Sequence, residues 1–172
     1  SLDEVARHLP EDRDNCILIG EINDDAHAFG IDRINPSNMV NMLHYERGTK
    51  TQYELECMRA ASRRAIRGHD AAERAFRSDQ SEFDIHLAYC RAVNHVEHEL
   101  PYGNIIALNE NGAVLHYQHQ AVEKPNEHRS FLIDAGARFN GYASDITRTY
   151  AREDGEFSSL IQRFETLQLE LV

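Results

Sequence analysis

The chain has 172 residues, of which 29 are acidic and 18 are Lys or Arg, so its formal net charge is −11. This charge argues against nucleic acid and anionic membranes as main partners, because both select basic surfaces. Apolar residues make up 41% of the sequence, which is enough for a core and excludes a disordered chain. The sequence contains no run of about 18 apolar residues, so it predicts no transmembrane helix.

The cysteines indicate the redox environment of the protein, and the chain ends bear on whether the sequence is an excerpt. Cys16, Cys57 and Cys90 are odd in number, are widely spaced and form no CxxC pair. This pattern favours free thiols in a reducing cytoplasm. The chain begins at Ser1, and an apolar helical repeat over 157–171 meets no Gly, Asn or Pro stop signal. We therefore expect an excerpt of a longer protein, cut at or inside a helix.

The first third of the chain mixes one apolar run with helical signals. Residues 15–20 are predicted to form a buried strand, because they form a short apolar run between polar segments. A helix is predicted over 36–47, since an Asn-Pro pair opens it and Gly48 breaks it. These elements do not make a complete sheet. We therefore expect 1–48 to be the tail of one domain and 49–172 to begin a second.

Two longer helices are predicted next. Thr51 and Glu54 form a capping box, and the apolar stripe that follows continues to Phe76. A further helix is predicted to begin after Ser81, which is a favourable N-cap residue. The residues expected to face inward from this helix are Phe83, Leu87 and Cys90.

Beyond Pro101 the pattern changes to short apolar runs around two Asn-Gly pairs. Asn-Gly between apolar runs is a strong hairpin signal, because a type I′ turn needs positive φ at both central residues. Hairpins are therefore predicted with strands 105–108 and 113–117, and with strands 130–134 and 142–150. Two long helices, then antiparallel hairpins and a final helix, indicate an α+β fold rather than a doubly wound parallel sheet.

The second hairpin contains the residues with the clearest chemical potential. A two-residue Asn-Gly turn would pair Asp134 with Thr147, and Gly136 with Asp145. Because side chains alternate between faces, these four residues would share one face of the hairpin. The aspartates would be diagonal neighbours with Cβ atoms roughly 7 Å apart. Gly136 is expected to leave an empty volume beside them.

Two carboxylates on an otherwise apolar strand pair need compensation, because burial of an unpaired charge is costly. Such a pair holds a cation or shares a proton. The predicted spacing suits a dinuclear site for divalent ions such as Mn²⁺, Mg²⁺ or Zn²⁺. From these residues alone, the alternative is that one Asp serves the turn while the other pairs with Arg148 or Arg138.

The wider sequence resembles the pita-bread metallopeptidases, a family that includes methionine aminopeptidase, aminopeptidase P and prolidase. Within this family the resemblance is to the bacterial Xaa-Pro dipeptidases, and it extends from about Asn15 to the end of the chain. The segments that carry it are Ser81-Glu-Phe-Asp-Ile85, the run from Pro101 to Tyr117, Arg129-Ser-Phe-Leu-Ile-Asp-Ala-Gly-Ala137, Asn140-Gly-Tyr-Ala-Ser-Asp145 and Asp145-Ile-Thr-Arg-Thr149.

The resemblance implies a partial pita-bread fold, also known as the creatinase/aminopeptidase fold. Residues 1–48 would be the tail of the N-terminal creatinase-like domain. Residues 49–172 would be the first half of the metallopeptidase catalytic domain. The remaining metal ligands of the family, one His and two Glu, belong to its later half. The chain by itself is therefore expected to be inactive and to bind metal weakly.

The resemblance also implies a role for each candidate residue. Asp134 would chelate one metal ion and Asp145 would bridge two. Thr147 would not bind the metal itself but would orient one of the residues that do. His116 would lie beside the scissile peptide bond, where its imidazole binds the substrate carbonyl or leaving group, or stabilises the oxyanion.

The implied activity is hydrolysis of Xaa-Pro dipeptides by hydroxide held between two divalent metal ions, with Mn²⁺ as the expected ion. A small peptide is the implied substrate. A homodimer is an assembly that the resemblance allows, because the N-terminal domain usually mediates dimerisation in the family. The alternatives are an organophosphorus-acid hydrolase on the same fold and a non-catalytic pita-bread binding module.

Other histidines and tyrosines are interpreted without a site. His44, His69 and His86 have no convergent partners in the sequence, and we expect them to be surface or packing residues. Tyr102 and Tyr117 are expected to pack and to form hydrogen bonds rather than to contact substrate.

Overall fold

The computed structural model describes residues 4–5, 7–22 and 28–171. The chain divides into two compact units, Ser1–Thr51 and Gln52–Val172. No helix within the described residues is long and apolar enough to cross a membrane. The helices are α1 (Ser37–Glu46), α2 (Gln52–Arg77), α3 (Glu82–Val93) and α4 (Glu156–Leu171), and the strands are β1 (Ile105–Leu108), β2 (Ser130–Ala135), β3 (Arg138–Phe139), β4 (Tyr142–Ala143) and β5 (Ile146–Ala151).

In the first unit, the predicted strand over 15–20 is wrong. The described part of that segment contains an isolated parallel bridge from Leu18 to Ile34 instead. The side chain of Asn35 accepts a hydrogen bond from the Gly20 N–H at 3.0 Å and donates one to the Gly20 carbonyl at 2.7 Å. These bonds occupy the backbone groups that would have extended the pairing. The predicted helix is confirmed as α1.

In the second unit, α2 and α3 form one layer over the sheet. Both predicted helices are confirmed, and α3 begins at Ser81, whose Oγ accepts a hydrogen bond from the Asp84 N–H at 3.1 Å. The predicted inward face of α3 is wrong at Phe83, which is 39% exposed, while Leu87 is half-buried and Cys90 packs against the core. The residues that α3 buries are Glu82, Ile85, His86, Tyr89 and Val93.

The three-stranded sheet has the order β1-β2-β5 and is antiparallel throughout. Along β2, Phe131, Ile133 and Ala135 are buried against the helices, while the alternate residues are only half-buried. The Phe131 ring lies 5.3 Å from the Phe76 ring of α2, centroid to centroid. This arrangement places one sheet face in the core and leaves Asp134 on the other face.

The first predicted hairpin is wrong, because the second strand expected over 113–117 does not form. Residues Asn109–Ala113 form a 3₁₀ helix, and β1 pairs with β2 rather than with the next segment. Val114 and Leu115 are 56% and 86% exposed, so their apolar character does not reflect burial in a sheet. The amide of Asn111 bonds to Glu82 and Tyr117, which holds this segment away from a hairpin turn.

The second predicted hairpin is confirmed, including its register. Phe139 pairs with Tyr142 around a turn in which Asn140 and Gly141 have φ of 49° and 83°. The positive φ at both positions is the requirement that an Asn-Gly turn satisfies. The structure is therefore α+β, with the helical layer on one face of an antiparallel sheet.

Candidate metal centre

Adjacent strands position the two candidate aspartates on one side of the sheet. Asp134 lies in β2 and pairs with Thr147 of β5, as the hairpin register predicts. Asp145 immediately precedes β5. Asp134 is half-buried and Asp145 is exposed. The face that carries these groups is the one that the helical layer does not cover.

Tyr102 joins the two carboxylates. Its hydroxyl oxygen lies 2.8 Å from Oδ1 of Asp134 and 2.8 Å from Oδ1 of Asp145. A phenol has a single O–H to donate, so one proton serves two acceptor groups. The other oxygen of each carboxylate remains for a further ligand. Burial and the two carboxylates raise the pKa of Tyr102 above its ordinary value, which keeps the hydroxyl protonated.

Gly136 allows the two strands to approach closely between the aspartates. A Cβ atom at this position would lie 2.0 Å from the Ser144 carbonyl oxygen and 2.8 Å from Pro101 Cγ. The expected empty volume beside Gly136 is therefore wrong, because backbone and Pro101 fill it. Ser144 also donates its N–H to Ala137 at 2.9 Å and accepts a bond from the Ala137 N–H at 3.0 Å. This close contact fixes Asp145 relative to Asp134.

His69 supports the same strand from the core side. Its Nε2 lies 3.1 Å from the Ala135 carbonyl oxygen, so Nε2 carries the proton and donates it. Its Nδ1 is buried and has no hydrogen-bond partner among the described residues. Burial lowers the pKa of His69 from its ordinary value of 6.5. Of the two expectations for His69, a surface or a packing residue, the structure shows the second, and its contact is one residue from Asp134.

The apolar neighbours of His116 predict a strand, but His116 does not lie in one. It occupies an exposed turn and has φ of 54°, in the left-handed region. No hydrogen bond joins it to Asp134 or Asp145 within the described ranges. Its segment is attached to the Tyr102 side of the unit by Gln118, whose amide donates to the Gly103 carbonyl at 3.3 Å.

Glu82 anchors the connection that carries His116. The side chain is 1% exposed, so its carboxylate needs hydrogen-bond donors. Four donors surround it at 2.7–2.9 Å, namely the Leu108 and Ala121 N–H groups, the Asn111 amide and the Tyr117 hydroxyl. Burial and the Glu82 carboxylate raise the pKa of Tyr117 to about 12, which keeps this donor protonated. One buried carboxylate thus holds the chain on both sides of His116, at Leu108 and at Ala121.

Two contributors to the site were not identified from the sequence. Tyr102 was expected to form hydrogen bonds, but no spacing rule links it to residues 32 and 43 positions later. Glu82 directly follows the predicted N-cap residue Ser81, where an acidic side chain is ordinary, so its burial gives no signal in the sequence.

The donor set fits divalent cations. Asp134 and Asp145 present carboxylate oxygens, the ligands that hard and borderline divalent ions prefer. One O–H shared by two carboxylates leaves unbalanced negative charge that a cation can neutralise. Thr147 lies directly across from Asp134 in the register, on the same face.

The family comparison covers most of the second unit. Residues 56–172 match the model of metallopeptidase family M24. The Xaa-Pro dipeptidase of Pseudoalteromonas translucida is 52% identical over 170 residues, which cover 98% of this chain and 39% of that protein. The Xaa-Pro dipeptidase of Shewanella denitrificans is 49% identical over 99% of this chain and 39% of its own length.

Solved structures show the same fold. Aminopeptidase P from E. coli, with the inhibitor Pro-Leu, aligns with a TM-score of 0.71 at 22% identity over 88% of this chain and 38% of that chain. Proline aminopeptidase P II from Yersinia pestis aligns with a TM-score of 0.64 at 21% identity, with the same coverage. The expected pita-bread fold is therefore confirmed. The chain belongs to metallopeptidase family M24.

Proposed function

We propose that the protein containing this chain hydrolyses Xaa-Pro dipeptides, and that Asp134 and Asp145 hold part of a centre of two Mn²⁺ ions. The observation that carries the proposal is the convergence of both carboxylates on the Tyr102 hydroxyl. Relatives named Xaa-Pro dipeptidase support the substrate class, because they are 52% identical to this chain over 98% of its length. M24 metallopeptidases use divalent metals, which supports the cation requirement.

The chemistry of the substrate suits a metal centre. The Xaa-Pro amide is tertiary and has no N–H. A peptidase that recognises its substrates by a hydrogen bond from that N–H therefore finds no donor. When bound, divalent cations lower the pKa of water and polarise a carbonyl, and neither effect needs the amide N–H. The carbonyl side of the scissile bond is therefore the side that this site can recognise.

Each candidate site residue has a defined role in this proposal. Asp134, half-buried in β2, would be a ligand of one cation, and the more exposed Asp145 would be a ligand of both. Tyr102 holds the two carboxylates in a common orientation before cations bind. Thr147, opposite Asp134, orients a ligand through its hydroxyl. These positioning interactions reduce the conformational freedom that cation binding would otherwise remove.

His116 is proposed to act on the substrate rather than on the cations. An imidazole beside the scissile carbonyl donates a hydrogen bond to the oxygen as negative charge develops there. Its exposed turn leaves the ring accessible to a bound peptide. Glu82, which fixes the surrounding connection, determines where the turn lies.

The remaining assignments are also proposals. Residues 1–48 are the tail of an N-terminal creatinase-like domain, and 49–172 are the first half of the catalytic domain. The chain spans 39% of the length of the curated relatives that it matches. The other ligands, a homodimer interface and a cytoplasmic location are therefore attributed to the longer protein, and the chain by itself is expected to be inactive.

The test is hydrolysis of Ala-Pro with added Mn²⁺, followed by release of free proline. It is run in parallel on the longer protein and on the 172-residue chain. We expect turnover by the longer protein and none by the chain. Turnover of a phosphotriester but not of Ala-Pro by the longer protein would overturn the substrate assignment. Absence of both activities would indicate a non-catalytic member of the fold.

A further inference from the structure

A second cluster of metal-binding side chains lies outside the Asp134–Asp145–Tyr102 group. His86 and Cys90 are one helical turn apart on α3, and Glu97 lies in the 3₁₀ turn Glu97–Glu99 that follows. The His86 Nε2 atom is 3.5 Å from Cys90 Sγ and 2.7 Å from Glu97 Oε2. All three ligand atoms lie within 4.8 Å of one another.

We propose that His86, Cys90 and Glu97 form a separate site for one borderline divalent cation of the Zn²⁺ type. A nitrogen, a thiolate sulfur and a carboxylate oxygen are each common zinc ligands. A thiolate disfavours Mn²⁺ and Mg²⁺, which prefer oxygen ligands. The site therefore differs in ion preference from the carboxylate pair on the sheet. Its fourth position is available to water.

The distances are close to those of a tetrahedral zinc site. Bond lengths of about 2.0–2.3 Å place neighbouring ligand atoms roughly 3.3–3.6 Å apart. The separation of His86 Nε2 from Cys90 Sγ, 3.5 Å, already matches this range. The separation of His86 from Glu97 is shorter, but the Glu97 side chain is 64% exposed and can withdraw. The helix fixes two ligands and the exposed carboxylate supplies the third.

Asn104 provides an independent observation in favour of a ligand. Its side chain is fully buried, and its Oδ1 has no hydrogen-bond partner among the described residues. Its Nδ2 lies 3.3 Å from His86 Nδ1. A 180° rotation of the amide exchanges these two atoms, so that Oδ1 accepts a hydrogen bond from Nδ1–H and Nδ2 takes the unpartnered position. This tautomer leaves the Nε2 lone pair of His86 directed at the cation, as in zinc sites with a supporting hydrogen bond.

The change costs one hydrogen bond of Gln120 and keeps another. Gln120 Nε2 lies 3.3 Å from His86 Nδ1, and it also donates to the Asn104 carbonyl at 3.2 Å. When Nδ1 becomes a donor, the bond to Nδ1 is lost and the bond to the Asn104 carbonyl still holds the Gln120 amide. Burial and the neighbouring Glu97 raise the pKa of the Cys90 thiol to about 11, so the thiol is protonated without metal. Cation binding therefore forms one S–metal bond and releases the thiol proton to solvent.

The proposed site would fasten the 3₁₀ turn to α3. The turn precedes Pro101 and Tyr102, so the cation would stabilise the start of the segment that contacts Asp134 and Asp145.

The expectation that His86 is a surface or packing residue without partners is wrong. It is 4% exposed and faces three polar side chains and a thiol.

The test is titration of the full 172-residue chain with Co²⁺ under a reductant that contains no thiol. We expect one equivalent of Co²⁺ to produce a thiolate-to-cobalt charge-transfer band, which Zn²⁺ removes and Mn²⁺ does not. Cys90→Ser should abolish the band. Cys57→Ser should keep it, because Cys57 lies outside the cluster. The double variant D134N/D145N should also keep it, because carboxylates give no such band.

Further variants keep the test informative if Cys90→Ser does not fold. Glu97→Gln changes an exposed side chain, and it should weaken Co²⁺ binding at least about tenfold while the band remains. The proposal is overturned if the unmodified chain gives no band, if the band survives Cys90→Ser, or if Glu97→Gln leaves the affinity unchanged.

Discussion

The β2–β5 ladder and the connection over 109–129 are held in place by different kinds of interaction. The ladder is fixed by backbone pairing. Once the Asn-Gly turn pairs Phe139 with Tyr142, the same register places Asp134 opposite Thr147. The connection has little regular structure and depends on the buried carboxylate of Glu82. The ladder carries Asp134, and Asp145 directly precedes it, while the connection carries His116.

The difference shows which parts of such a site depend on local sequence. A hairpin register follows from a turn and from the period of two in a strand, both of which are local. A connection held by one distant carboxylate depends on packing between elements that are remote in sequence. We therefore expect changes within the ladder to affect cation binding, and changes at Glu82 to affect the connection first.

The largest effect should follow substitution of Gly136, which directly follows the ladder strand β2. Gly136→Ala places a Cβ atom 2.0 Å from the Ser144 carbonyl oxygen, which is backbone and cannot rotate away. The strands must separate, at a cost of about 3 kcal/mol or more in the free energy of unfolding. Urea unfolding of the variant measures this loss.

Gly155→Ala is the matched control for this substitution. A Cβ atom at Gly155 meets no heavy atom within 4 Å, so its stability should stay within about 0.5 kcal/mol of the original chain. Equal stability of the Gly136 and Gly155 variants would contradict the close strand contact.

The connection can be disturbed separately through Glu82. Glu82→Gln retains the size of the side chain but turns an NH₂ group toward two of its four donors. The loss of these bonds should cost about 3 kcal/mol, because the site is buried. Hydrogen exchange should then increase over 109–121 more than over β2.

Glu123→Gln, at an exposed position, should change neither the free energy of unfolding nor the hydrogen exchange. Equal exchange increases in the two segments would show that Glu82 supports the whole unit rather than the connection.

A smaller effect is expected from His69, which contacts the ladder from the helical layer. Burial lowers its pKa below 6.5, so unfolding in acid takes up a proton at this residue. Its stabilising contribution is complete above pH 6.5 and is lost as the pH falls below that value. His69→Gln should therefore reduce the loss of stability between pH 7 and pH 5.

His44→Gln is the control for the acid dependence, because His44 is exposed in α1. Its unfolding curves should keep the pH dependence of the original chain. A His69 variant with the same dependence as the original chain would show that burial does not suppress protonation at this position.

The sequence predicts the elements whose signals are local. The second hairpin, its register, α2 and the start of α3 at Ser81 all follow from caps, turns and periodicity. The first Asn-Gly pair carries the same local signal but forms a 3₁₀ turn, because Asn111 bonds to Glu82 from another element. The joint contact of Tyr102 with both aspartates likewise depends on tertiary packing. No short-range pattern records either interaction.

The central claim is that Asp145 is a cation ligand of a metallopeptidase, and its most direct test is Asp145→Asn in the longer protein. Hydrolysis of Ala-Pro with Mn²⁺ should be nearly abolished, because the amide would supply one neutral oxygen in place of the charged carboxylate that is proposed to hold both cations. Asp154→Asn, an exposed change of the same chemistry, should leave turnover unchanged. Normal turnover by the Asp145 variant, beside an active Asp154 variant, would contradict the ligand assignment.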